Sequence, residues 1–523
     1  MLRVVRPIIV FILIGGVFYL GIHSERTGFV REVLDPGLKQ FVLPVLNAFR
    51  GSGPEAPQLD LLIGQESMDS LAAIRERALK AGVLSEGKDT WFPALLVFGG
   101  DSMNAKIRLK GGLIDHLRTN KWSLRVQLAA GDTLMGMTVF SLQHPNTRNF
   151  SNEWIFHRAV AYAGLPALHY HFLDVRINTK SRGLYALEQH FDDALLARLA
   201  PQGFVGPVMK FDDELRITTL AEMAQRTFDS EAPLQGDWLS APITTFQAEK
   251  VMADSAKAAR FNFAFARLTR FRNGDLMTSE VFDADALAKL FALSDLFGAQ
   301  HCNDWRNLRF VFDARTALLT PVAFDANAGE PITAIRALRE QPPIRFDSKQ
   351  LSSFYGRLFS DRAFYEAYVA HLDTFSADGW LETFLGSVVG DLAVQEALIN
   401  NEFPNAAHDP AVFMHCRTVI RQTLRPTNII SASVLGQEGP MLRLGVANMH
   451  ALPVEVVGIG ARDTEPVPCG PILLPPRGRE EPLIEEVVEV PFVMGSVGRP
   501  MLHIKLVGLP HVVLVPVKGT GKR

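Results

Sequence analysis

Cysteine is almost missing from this chain: 523 residues contain three, Cys302, Cys416 and Cys469. Three thiols allow at most one internal disulfide, so a small framework stapled by bridges is excluded. None of them stands in a CxxC or Cys/His spacing, which removes the usual zinc frameworks. An excess of one charge is missing too. The 53 Lys and Arg residues face 56 Asp and Glu, for a net charge of -3, so no global field marks the chain for nucleic acid. Internal repeats and low-complexity runs are absent, and a hydrophobic content of 47% with 21% charged residues is that of a globular protein. At about 100 to 200 residues per domain the length implies two or three units.

Long apolar runs are scarce as well, and the clearest is terminal. Arg3 and Arg6 precede an uncharged stretch from Pro7 to Ile22, with no small-x-small cleavage site after it. This predicts a cytoplasmic tip over 1–7 and a transmembrane signal anchor over 8–22, with the bulk of the chain extracytoplasmic. Residues 23–60 end in Gly51-Ser52-Gly53-Pro54-Glu55-Ala56-Pro57 and read as a spacer.

Beyond the spacer a helix is predicted over 64–83, and then the period drops to two. Strands are expected at Leu95–Phe98, Ile107–Lys110 and Trp122–Leu128. In the last of these Trp122, Leu124, Val126 and Leu128 share one face, while Ser123, Arg125 and Gln127 share the other. A helix over 151–163 precedes a strand His171–Ile177, a turn Asn178–Gly183 and a returning strand Leu184–Glu188. From 245 onward helical spacing dominates, with helices expected at 361–376, 379–400 and 409–424. The fold class is therefore α+β: one two-lobed unit over 61–425, with a β-rich first lobe of about 90–215 and a helical second lobe of about 216–425. Six or seven short apolar runs separated by Gly/Pro turns fill 426–523 and predict an all-β sandwich. It holds no catalytic constellation, so it reads as a spacer or a surface for a protein partner.

The chemistry concentrates in His301-Cys302-Asn303-Asp304-Trp305-Arg306-Asn307-Leu308-Arg309-Phe310, followed by Pro321-Val322-Ala323-Phe324-Asp325. A carboxylate and a carboxamide three residues apart, then two apolar strands, then a second carboxylate, can present oxygens to a magnesium ion. The competing reading is a polar loop before a hairpin, with Asp304 capping a turn and Asp325 closing a strand. His301 reads as a cap or packed residue, and His169 and His171 flank Tyr170 on one strand without a third ligand.

Four pieces in order resemble the CotH kinase family: Ala105-Lys106-Ile107-Arg108-Leu109-Lys110-Gly111, Lys121-Trp122-Ser123-Leu124-Arg125, Asn178 with Gly183-Leu184-Tyr185-Ala186-Leu187-Glu188, and the His301 to Asp325 segment. The resemblance covers roughly 90–335. It implies an atypical protein-kinase fold that transfers the γ-phosphate of ATP, with Mg2+ or Mn2+, to Ser or Thr of a protein or to an envelope component. It makes Asp304 the catalytic base and Asn307 and Asp325 metal ligands. It implies Lys121, Arg125 or Lys110, with Arg108 beside them, as the nucleotide-binding cation that Glu188 orients, and Lys210, next to Asp212-Asp213-Glu214 after a strand, reads as a second phosphate contact. Where many relatives carry a second Asp, this chain has Asn327, an added metal ligand of lower charge. There is no Gly-rich loop of the ordinary kinase type. The alternative is a catalytically inactive relative that binds a ligand or assembles a partner.

Overall fold

A computed structural model describes residues 53–519, apart from 86, 88, 201–202, 215–216, 218, 220–237, 340–343, 347–352, 405, 463–464, 479–480 and 493–498. The first unit is a closed barrel. Its strands are β1 (Gln58–Ile63), β2 (Phe92–Phe98), β3 (Asp101–Leu109), β4 (Leu124–Leu128), β5 (Val139–Gln143), β6 (Tyr170–Ile177) and β7 (Lys180–Gln189), in the order β1-β2-β3-β4-β5-β7-β6. Helix α1 (Gln65–Ala81) joins β1 to β2, and α2 (Ser151–Tyr162) stands between β5 and β6. All neighbours run antiparallel except β6 and β1, whose parallel pairing, Leu59 opposite Val175, completes the cylinder.

This corrects the expectation of a kinase-like β-rich lobe beginning near 90: the unit is a closed seven-stranded barrel that starts at β1. The strand that closes the barrel lies at the end of the segment read as a spacer, and its partner is more than a hundred residues away in the chain. The interior is filled by alternate residues such as Leu61, Ile107, Val126, Leu142, Val175 and Leu187. The opposite faces of β6 and β7 are buried as well: Phe172, Leu184 and Ala186 join the core of the second lobe with Phe156 of α2. Burial on both sides explains why these two strands carry so little alternation.

The β6–β7 hairpin turns on Asn178 and Thr179, both at positive φ, 47° and 70°. Asn178 suits that left-handed position, and its side chain also bonds Ile63, accepting from the backbone N at 2.7 Å and donating to the O at 2.8 Å. The hairpin tip is thereby pinned to the end of β1.

The second lobe begins with α3 (Asp193–Leu199), β8 (Val205–Phe211), β9 (Ile243–Thr245), α4 (Ala248–Ala253) and α5 (Ser255–Asn273). It continues through α6 (Ala284–Leu296), β10 (Arg309–Asp313), β11 (Leu318–Val322), α7 (Arg362–Ser376), α8 (Trp380–Glu402) and α9 (Pro410–Leu424). Strands β11-β10-β8-β9 form one small sheet. Beneath it α6, with ten buried residues of which only Ser294 and Asp295 are polar, is the axis of the main core.

The described residues beyond 426 form seven strands in two antiparallel sheets, one of three strands and one of four. They dock on α7. Glu455, almost fully buried, meets Lys505 at 3.1 Å and Arg362 of α7. Among the described residues no helix is long and apolar enough to cross a membrane. The expectation of a transmembrane anchor and a membrane location is corrected to that extent, and the segment 8–22 on which it rested lies outside the described residues.

Candidate functional site

Part of the barrel's polar surface meets water, as at Asn104, Lys106 and Gln127, and part of it is buried around Arg125, Lys110 and Glu188. Leu124 and Val126 point into the barrel, which sends Arg125 outward, and Leu109 does the same for Lys110. On β7 the outward series ends in Glu188, whose side chain is inaccessible to solvent. Lys110 Nζ lies 3.0 Å from Glu188 Oε2 and also donates to the Gln143 carboxamide oxygen. The other carboxylate oxygen of Glu188 is 3.9 Å from Arg148 Nε, and Arg148 Nη1 reaches Asp325 Oδ1 at 3.1 Å. His301 Nε2 lies 3.6 Å from the same Asp325 oxygen, and Asn307 Nδ2 donates to His301 O at 3.0 Å. One chain of contacts thus joins Lys110, Glu188, Arg148, Asp325, His301 and Asn307.

The outer end of this chain opens into a cleft of about 620 Å³, lined by Asn307, Asp325, Asn327, Arg148, His116 and His301 among others. The backbone there is held in conformations that only Gly, Asn and Asp tolerate readily: Asp325 has φ 54° and Asn327 φ 45°, facing Asn149 at φ 52°. Asn149 Nδ2 donates to Ala328 O at 2.7 Å, and Ala326 N donates to Glu153 Oε1 at 3.0 Å, so the approach to α2 clamps the Asp325 segment. A Cβ on Gly298 would stand 2.0 Å from Glu330 O, so that residue must be glycine for the loop to pass behind the cleft.

Burial sets the electrostatics. It drives the Lys110 amine down to about 8 in spite of Glu188, the Arg125 guanidinium down to about 9 with Arg108 adding repulsion, and Arg309 down to about 10. Burial pushes the Glu188 carboxyl up, but the charges of Lys110 and Arg148 outweigh it and hold the group at about 2. Several cations therefore share few carboxylates. The buried Nε and Nη1 of Arg125, Nε of Arg148 and Nε of Arg309 have no hydrogen-bond partner, and a buried unpaired donor costs about 1–3 kcal/mol.

The other expected residues are distributed differently. Arg108, opposite Arg125 in the β3–β4 register, lies over the Trp91 ring and 3.9 Å from Asp89. Lys210 pairs with Asp212 at 2.6 Å and shares the Phe246 ring face with Arg309, beside the cation group. Lys121 is taken up elsewhere. Its amine meets Glu402 at 3.0 Å and the Leu184 carbonyl at 3.1 Å, tying the barrel to the end of α8. Asp304 lines an adjoining cavity instead of the cleft. Arg306 grips it with two guanidinium contacts of 2.7 and 2.6 Å and its own backbone N, the turn-capping geometry.

No protein-family model matches this chain, and no curated protein matches it. The site is therefore argued from its geometry. Sequence reasoning passed over Arg148, Glu153 and His157. The last two carried a signal, an acid and an imidazole four apart on a predicted helix; Arg148, in the turn before that helix, carried none. Glu153, His157 and Glu188 offer ligand atoms within 4.8 Å of one another, the one such group of three among the described residues. Lys110 and Arg148 already supply positive charge there, which repels a further cation. The same Arg148 stands against Asp325, so the open cleft, which Asn307, Asp325 and Asn327 line, is not free of that charge either.

Proposed function

We propose that this protein is a kinase-like phosphotransferase that moves the γ-phosphate of ATP, with Mg2+ or Mn2+, to a hydroxyl of a protein or other acceptor. The observation that carries the reading is the buried Lys110–Glu188 pair, continued through Arg148 to Asp325 at a cleft that Asn307 and Asn327 also line. When bound, ATP supplies the transferable phosphoryl group and the metal draws its oxygens together. Glu188 holds Lys110 in place; Lys110 and Arg125 are buried outside the cleft wall, and Arg148 is the cation of this group that lines it. Asn307, Asp325 and Asn327 offer the hard oxygens that Mg2+ prefers. Asp304, the base that the resemblance implies, lines the adjoining cavity and is held by Arg306, so no step is routed through it.

A second reading, binding without turnover, is favoured by one feature: arginines occupy both candidate acids, Arg148 on Asp325 and Arg306 on Asp304. The full chain incubated with labelled ATP and Mn2+ or Mg2+ separates the two. Label transfer that is lost in Asp325→Ala supports the kinase, and metal-dependent nucleotide binding without transfer supports the second reading. If the unaltered protein shows no metal-dependent nucleotide binding, both fail.

A further inference from the structure

A second cavity lies behind the site, enclosed by α3, β8, α4 and α5, with a volume of about 230 Å³. A closed apolar cavity of about 150 Å³ already accommodates benzene, so this one has room for a one- or two-ring molecule. Its wall is aromatic. Phe191 and Phe246 stack with centroids 4.6 Å apart, and Leu196, Val208 and Val251 complete the apolar lining. The wall is also braced from outside, because Phe324 meets Phe191 edge-on at 5.3 Å and the Arg309 guanidinium lies 5.6 Å from the Phe246 centroid. The cavity is thus pre-formed.

Its mouth is cationic. Lys250, Lys257 and Arg260 line it, and Asp193 is the carboxylate both lysines share, at 2.5 and 3.2 Å. The neighbouring Asp192 is spent on the interior, accepting from Val139 N and Leu195 N, each at 2.9 Å. Arg260 donates to the Gly203 carbonyl at 3.0 Å, and Asp254, which is not part of the lining, attracts it and Lys257 from outside. An aromatic slot under a rim with surplus positive charge suits a flat apolar body with an anionic head. We propose that this cavity binds a small aromatic acid, with the ring against Phe191 and Phe246 and the carboxylate between Lys250, Lys257 and Arg260. The inference stands apart from the phosphotransfer reading.

Calorimetry on the full chain tests it with 2-naphthoate and its neutral counterpart 2-naphthalenemethanol as probes. Saturable one-to-one binding of the acid is expected, with the alcohol at least tenfold weaker. Lys250→Ala/Lys257→Ala changes only the exposed rim and should weaken the acid at least tenfold without lowering the melting temperature. Leu196→Trp fills the slot and should abolish binding, which also separates this cavity from the cationic cleft. No saturable binding of the acid, equal binding of the alcohol, or a rim variant that binds like the parent would each overturn the proposal.

Discussion

Replacing Glu188 by Gln removes the one carboxylate that Lys110 touches and leaves that amine, with the Arg148 guanidinium, facing a neutral amide in a dry setting. The carboxyl is held at about 2 where 4.5 is ordinary, which at about 1.4 kcal/mol per pH unit amounts to about 3 kcal/mol. The cost of breaking a buried ion pair from one side is about 3–5 kcal/mol, so two independent routes agree. The amine of Lys110 moves the other way, from 10.5 to about 8, a penalty of about 3 kcal/mol at neutral pH. Burial opposes the charge of the amine while Glu188 supports it, so what is expensive is leaving one member of the pair alone. Urea unfolding of the full chain at pH 7 should show Glu188→Gln destabilised by about 3 kcal/mol, and Glu188→Gln/Lys110→Met should regain most of that. The pH dependence has a definite sign. A carboxyl lowered by folding stabilises above 4.5 and loses that contribution as pH falls toward 2, so the gap between parent and Glu188→Gln should shrink to about half by pH 3. A gap under about 1 kcal/mol at pH 7, or a double variant no better than the single, would show that the pair is not buried and coupled as described.

Other consequences are open to direct measurement. Because the Lys110 amine titrates at about 8, ATP affinity that depends on its charge should fall about tenfold per pH unit above 8; calorimetry at pH 7, 8 and 9 reads this, and a flat profile removes Lys110 from the phosphate site. Arg148→Met frees Asp325 from its 3.1 Å partner, so Mn2+ followed by electron paramagnetic resonance should bind at least fivefold tighter; unchanged affinity would mean that arginine and metal do not compete there. Gly298→Ala places a Cβ 2.0 Å from a backbone oxygen at φ 58° and should cost more than about 3 kcal/mol. Gly386→Ala on the exposed face of α8, with nothing within 4 Å, should stabilise by about 0.5–1 kcal/mol, and thermal melts of the two variants moving together would contradict this account. Asn178→Ala loses both bonds to Ile63 and a residue suited to positive φ, a cost of about 1–2 kcal/mol that the melting temperature of the isolated variant checks.

Local periodicity carried much of the secondary structure. The helices expected at 361–376, 379–400 and 409–424 correspond to α7, α8 and α9 within two residues, because each is long, amphipathic and capped. Barrel closure was not legible, since it depends on a six-residue strand after a Gly/Pro stretch pairing with one far along the chain, and short-range patterns contain no term for that. The site divides along the same line. Lys110, Lys121 and Arg125 are equivalent in sequence, each a cation beside an alternating strand. What separates them is the neighbour that burial supplies: Glu188 for Lys110, Glu402 of a distant helix for Lys121, and no hydrogen-bonded carboxylate for Arg125. Asp304 and Asp325 were likewise alike on paper, and the arginine two residues after Asp304 turned it into a local cap. Alternation tells which face of a strand is polar, yet whether that face meets water or another lobe is decided by tertiary packing. Once the lobe closes over it, each cation on that face must find an anion or keep an unpaired buried donor. Arg125 keeps two such nitrogens, a requirement that burial creates and that the spacing of the acidic residues could not have announced.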